Sequence, residues 1–74
     1  MNDIKYKISV VVPVFNEEDC LSELFERLCT LREKLRAHVE LRVLFVNDGS
    51  SDQSPTMLDT MAQKHAFVSV LSFT

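Results

Sequence analysis

The chain has no tryptophan, one glycine (Gly49), two prolines and two cysteines among its 74 residues. So little Gly and Pro excludes collagen-like and low-complexity classes. Cys20 and Cys29 are too few for a disulfide scaffold, and no His/Cys cluster has zinc spacing. At 100° per residue the two cysteines fall on opposite faces of a helix, so both read as core or boundary residues without a disulfide. There is no basic excess: eight Lys and Arg stand against eleven Asp and Glu, a net charge of −3. Without a basic footprint, nucleic acid is not an expected partner. No uncharged stretch, Ile8–Asn16 included, is long enough to span a bilayer. No long apolar core follows Met1–Lys5, so a secretory signal is not expected. The reading is a small chain of a reducing, cytoplasmic compartment.

What is present is ordinary for a folded domain: 46% hydrophobic and 26% charged residues. The length allows one domain, and burial of roughly 60% of the unfolded surface makes its fold marginal. Ile8–Val14 is a nearly continuous β-branched run, which fits a strand buried on both faces. Pro13 cannot donate to a ladder and belongs at that strand's end. Asn16 is the predicted N-cap of a helix over Glu17–Arg36, with Glu17, Glu18 and Asp19 in its first turn. Leu21, Leu24, Phe25 and Leu28 form its apolar face. Leu41–Val46 is a second strand, ending at the polar turn Asn47–Asp52. Ser54-Pro55 is a helix start, and Met57, Leu58, Met61 and Ala62 carry the next face, ending near His65. Phe67–Phe73 is a third strand. His38 and His65 follow helix ends and read as solvent-facing. Val10, Val12, Leu44, Val46 and Val70 are expected to form one core with Leu21, Leu24, Phe25, Leu28, Leu58 and Met61.

The order is therefore β-α-β-α-β. Helical crossovers imply a right-handed, parallel α/β sheet, half of a doubly wound fold and so truncated in appearance. In such sheets ligands bind outside the carboxyl ends of the strands. Two polar loops lie there, Pro13–Glu18 and Asn47–Asp52. Neither has the G-x-G-x-x-G or G-x-x-x-x-G-K-[ST] pattern of common phosphate sites. Glu17 and Asp48 are instead placed to accept hydrogen bonds from ribose hydroxyls or a base N–H. The plainer reading is that Glu17 and Glu18 serve the helix dipole and that residues 48–52 are a turn with a cap. Asp48 and Asp52, i and i+4 across a turn, make a poor cation cage.

Ile8-Ser9-Val10-Val11-Val12-Pro13-Val14-Phe15-Asn16-Glu17-Glu18, taken with Val46-Asn47-Asp48-Gly49-Ser50-Ser51-Asp52, resembles the start of a family 2 glycosyltransferase. The similarity is to the polyprenyl-phosphate branch, which includes dolichyl-phosphate mannosyltransferases and bactoprenol glucosyl transferases. Phe45–Ser50 and the terminal Leu71-Ser72-Phe73-Thr74 look most like the bactoprenol type. The resemblance implies a nucleotide-diphospho-sugar transferase (Rossmann-like) fold, with residues 1–74 as the N-terminal, nucleotide-binding part. It implies that Pro13, Phe15 and Glu17 line the nucleotide site from the first loop. Val46 and Asp48 would do so from the second, with Asp48 against the base. Phe15 stands where Tyr is common in the family, so a hydroxyl contact is lost there.

The implied reaction moves a sugar from a nucleotide sugar such as UDP-glucose to a polyprenyl phosphate at the cytoplasmic face of the membrane. In the family a divalent cation, Mg or Mn, on an Asp-x-Asp motif stabilises the leaving diphosphate. That motif and the acceptor site are absent from this chain. It is therefore expected to bind no cofactor, to hold a nucleotide sugar weakly and to be inactive alone. Two other readings stand beside this one. One is a non-catalytic α/β interaction module that self-associates through the third strand's edge. The other is a degenerate remnant without a folded role.

Overall fold

A computed structural model describes residues 5–73. The elements are β1 (Tyr6–Val14), α1 (Glu18–Leu35), β2 (Val39–Asp48), α2 (Ser54–Lys64) and β3 (Val68–Phe73). The predicted β-α-β-α-β order and parallel sheet are both present. β1 and β2 outrun their apolar runs, because the pairs Tyr6↔Val39 and Lys7↔Glu40 extend the ladder on backbone bonds alone. Pro13 is the penultimate residue of β1, an edge strand in the order β1-β2-β3, where a missing N–H is tolerated.

Two right-handed crossovers that progress in one direction lay both helices on the same face of the sheet. The burial pattern agrees. Val14, Val43, Phe45 and Val68 from the strands join Leu21 and Leu28 of α1 and Leu58 and Met61 of α2 in one core. Phe45 and Leu58 are wholly inaccessible. Leu24, Phe25, Val12 and Val70 pack around that centre. The helix stripe read from the sequence is the stripe that is buried.

The other face of the sheet is bare, which corrects the expectation of strands buried on both sides. Leu44 and Val46 do not belong to the core. The register pairs Val11 with Leu44 and Pro13 with Val46, and Val46 with Leu71, and these residues share the uncovered face. The core positions of β2 are Leu41, Val43 and Phe45. Side chains alternate along a strand, so the two sets cannot exchange without a one-residue slip. Within Leu41–Val46 one parity is Leu41, Val43 and Phe45 and the other is Arg42, Leu44 and Val46, so the charge of Arg42 falls on the uncovered face. With one face uncovered, the radius of gyration is 13.3 Å, against about 11 Å for a compact domain of this length.

Two smaller expectations are also corrected. His65 is not solvent-facing: its ring lies 4.9 Å from Phe25 and 5.8 Å from Phe67, edge-on to both. A three-ring cluster therefore closes the end of α2 against α1, with the Arg32 guanidinium 4.5 Å over Phe67. His38 is exposed as expected. Cys20 is fully on the surface rather than at a boundary, whereas Cys29 packs against the core, and both thiols are free. Burial pushes the Cys29 thiol pKa up; Arg32 opposes this and Glu26 adds to it.

Candidate functional site

Both polar loops sit at the carboxyl ends of β1 and β2, one strand apart. Pro13 and Val46 are register partners on the uncovered face. Asp48 follows two residues after Val46 on the same face, paired in register with Phe73. Phe15 and Glu17 lie beyond the end of β1, and both are exposed. The five residues singled out from the sequence thus occupy one rim. None of the described hydrogen bonds or ion pairs engages the carboxylates of Glu17 or Asp48. Both remain open acceptors.

The loops reach their shape through each other. Asn16 adopts φ +50°, and Gly49 adopts φ +74°. Glycine takes such angles freely, and asparagine is among the few side chains that tolerate them. A Cβ at Gly49 would come no closer than 3.8 Å to the Phe73 carbonyl oxygen, so the backbone angle rather than crowding calls for glycine. Asn16 is not the cap of α1, as its sequence position suggested. Glu17 occupies the N-cap position and makes no side-chain cap bond. The amides of the residues that lead into the helix are satisfied from the other loop instead. The Asn16 amide donates to Ser50 Oγ (3.0 Å), that of Glu17 to Ser54 Oγ (3.0 Å) and that of Glu18 to Asp52 Oδ2 (3.1 Å). Two bonds return. The Ser51 amide donates to Asn16 Oδ1 (2.8 Å) and the Gln53 amide to Glu18 Oε1 (3.5 Å).

Asp52 and Ser54 also organise the second loop. The Ser54 amide donates to Asp52 Oδ1 at 2.8 Å, and the Ser50 amide to the Oδ1 of buried Asn47 at 3.1 Å. Ser54 is itself fully buried, with its hydroxyl satisfied. Partial desolvation pushes the Asp52 carboxyl pKa upward. Hydrogen bonds from the Ser54 hydroxyl and amide and from the Glu18 amide outweigh it, holding the group below the usual aspartate value. Asn16, Asn47, Ser50 and Ser54 were not picked out as site residues from the sequence. Their signal was the density of Asn, Ser and Asp around Gly49, which marks a turn but not the partner that the turn will cap.

Among the described residues no three acidic, His or Cys side chains converge on a point. Both oxygens of Asp52 already accept backbone amides, so Glu17 and Asp48 keep the open carboxylates of the rim. With no third acidic, His or Cys side chain beside them, the described residues form no cluster of cation ligands there. A separate cleft of about 300 Å³ lies at the opposite, amino end of β2, lined by Arg32, Arg36, Arg42, Glu33 and Glu40 among others. There Arg36 pairs with Glu33 (3.5 Å), Arg42 pairs with Glu40 (3.3 Å), and Arg32 stacks on Phe67. Its arginines are engaged within the fold, and it shares no residue with the rim.

Residues 9–74 match the family described as glycosyl transferase family 2. The chain is 40% identical over 68 residues to a prophage bactoprenol glucosyl transferase homolog of Escherichia coli (strain K12), covering 92% of this chain and 22% of that protein. It is equally similar, with the same coverage, to a bactoprenol glucosyl transferase of Shigella phage SfX. An undecaprenyl-phosphate 4-deoxy-4-formamido-L-arabinose transferase of Proteus mirabilis (strain HI4320) is 45% identical over 56 residues, 76% of this chain and 17% of that protein. The chain thus spans about a fifth of the length of these relatives. On the family match and on the two rim motifs that carry it, the chain belongs to glycosyl transferase family 2.

Proposed function

We propose that residues 1–74 are the nucleotide-binding part of a glycosyltransferase that moves a sugar from a nucleotide sugar, such as UDP-glucose, to a polyprenyl phosphate. The observation that carries this reading is the rim. An open carboxylate, Asp48, stands beside the apolar surface of Pro13 and Val46, with Phe15 and Glu17 on the adjoining loop. Asp48 accepts a base N–H, the apolar residues bear against the ring, and Glu17 accepts from ribose hydroxyls. The named relatives, transferases of bactoprenol and undecaprenyl phosphate, support the choice of acceptor.

The chain alone transfers no sugar, because the rim binds a nucleotide's base and sugar but offers neither a cation set nor an acceptor site. No helix among the described residues is long and apolar enough to cross a membrane. The nucleotide-sugar reading puts the site at the cytoplasmic face of the membrane, with any divalent cation, Mg or Mn, held by residues outside this chain.

The test is an NMR titration of the labelled chain with UDP. Shifts are expected at Phe15, Glu17, Val46 and Asp48. Asp48→Ala should weaken binding by the worth of a charge-assisted hydrogen bond, about 1.5–3 kcal/mol. Unchanged binding in that variant would remove the role assigned to Asp48. In parallel, UDP-glucose, a divalent cation and polyprenyl phosphate incubated with the chain should give no product above a protein-free control.

A second reading rests on the bare sheet face. β3 is an open edge, and Leu71 and Phe73 are about half exposed on it. An unpaired edge strand of this kind adds to a second copy of itself, so the isolated chain self-associates through β3.

A further inference from the structure

We infer that Asn16, with Asp52 and Ser54, acts as a positioning group for the nucleotide site by clamping its two loops into one rigid unit before any ligand arrives. This rests on the nucleotide reading of the rim and adds a residue set that does not itself touch ligand.

Five hydrogen bonds join segments 34 to 37 residues apart in sequence. They run in both directions. The amides of Asn16, Glu17 and Glu18, which lead into α1, donate to Ser50, Ser54 and Asp52, and two amides of the second loop donate back to Asn16 and Glu18. Asn16 is the hinge of the arrangement. At φ +50° it sends its own amide to Ser50 Oγ while its side-chain oxygen receives the Ser51 amide. Asparagine tolerates that angle, and the two bonds to the second loop hold it there.

Phe15 and Glu17 are the chain neighbours of Asn16 and have no hydrogen-bonded side-chain anchor of their own. Asp48 leads directly into the clamped turn. The separation between Glu17 and Asp48 is therefore set by residues 16, 50, 51, 52 and 54 rather than by the ligand. A site ordered in advance avoids the entropy of ordering two loops on binding. The low-lying Asp52 carboxyl keeps its acceptor ionised at physiological pH.

The experiment uses the labelled full chain, amide hydrogen exchange and UDP titration on three proteins. Asn16→Gly keeps the backbone angle accessible but deletes the Oδ1 acceptor. Asn16→Asp restores an oxygen at the same place. In the wild-type chain the Ser51 amide should exchange slowly. In Asn16→Gly its protection should fall, the core amides of Val43 and Phe45 should keep their shifts, and UDP affinity should drop by about three- to tenfold. Asn16→Asp should recover both protection and affinity, which a general loss of stability would not do. If Asn16→Gly loses Ser51 protection yet binds UDP as the wild type does, the positioning role is overturned while the nucleotide reading stands. If the wild-type chain shows no UDP shifts, the nucleotide reading fails and the positioning role falls with it. If Ser51 is unprotected in the wild type, the clamp is overturned whatever UDP does.

Discussion

The two faces of the sheet are built from the same strands and have opposite fates. On one, Val14, Val43 and Phe45 are closed off beneath α1 and α2. On the other, Val11, Leu71 and Phe73 remain about half exposed. Composition marks the difference, since the bare face also carries Lys7, Ser9, Glu40, Arg42 and Ser69. Topology enforces it. With strands added in the order β1-β2-β3, each right-handed crossover returns over the same side, and a helix on the far side requires strands that run the other way from β1. The covered face is a core, and the bare face is where Pro13, Val46 and Asp48 stand. In this chain the candidate site is the part of the sheet that its own helices leave open.

The widest separation between the faces should appear on truncating neighbours in β2. Phe45 is wholly buried on the helix side, and Phe45→Ala should remove about 3–5 kcal/mol. That is a large share of the stability of any small domain, and the variant should be unfolded or nearly so by circular dichroism. Leu44, one residue earlier, is only half-buried on the opposite face. In urea denaturation Leu44→Ala should lose well under half as much. Equal losses would mean that both faces are covered in solution.

At the rim, where the faces meet, the backbone carries the strain. Gly49→Ala keeps the space but not the angle, since φ is +74°. It should lose about 1–2 kcal/mol, the cost of a left-handed conformation for an L-residue. A loss near zero would show that the turn relaxes into another form.

Substitution on the bare edge should leave stability alone and change association. Leu71→Lys puts a charge on the exposed face of β3, a device that blunts edge pairing. Size-exclusion chromatography should show the wild-type chain associating and the variant shifted toward monomer, with the same thermal transition. A wild-type monomer at all concentrations would remove the self-association reading.

The elements were legible because each has a local signal. The stripe Leu21, Leu24, Phe25, Leu28 marked α1, and Ser54-Pro55 marked the start of α2. The pairing of the two motifs likewise marked the rim. The facing of β2 was legible only in part: Arg42 shares a face with Leu44 and Val46, but the apolar character of those two hid that this face stays uncovered. The loop clamp was hidden for a related reason. Asn16 followed by acidic residues looks like a local cap, whereas the oxygens that receive the amides of residues 16–18, from Ser50, Asp52 and Ser54, come from 34 to 37 residues away. A ring after a helix end, as at His65, gives no local sign that Phe25 and Phe67 will meet it.

The smallest expected effect is on acid stability, and it isolates the rim from both faces. The folded Asp52 carboxyl lies below its ordinary value because Ser54 and Glu18 donate to the ionised form. A group whose pKa is lowered on folding stabilises the fold above its unfolded pKa, about 3.9 for aspartate. The contribution is constant from neutral pH down to that point. It then declines as pH falls toward the lower folded value, where the native carboxylate also takes up a proton. Asp52→Asn cannot ionise and should lose this component. Its stability should lie below that of the wild type at pH 7, and the two curves should converge as pH drops below about 4. Urea midpoints measured between pH 7 and pH 2.5 test this. Parallel curves across that range would show that Asp52 donates no charge-dependent support, and that the clamp rests on Asn16 and the two serines alone.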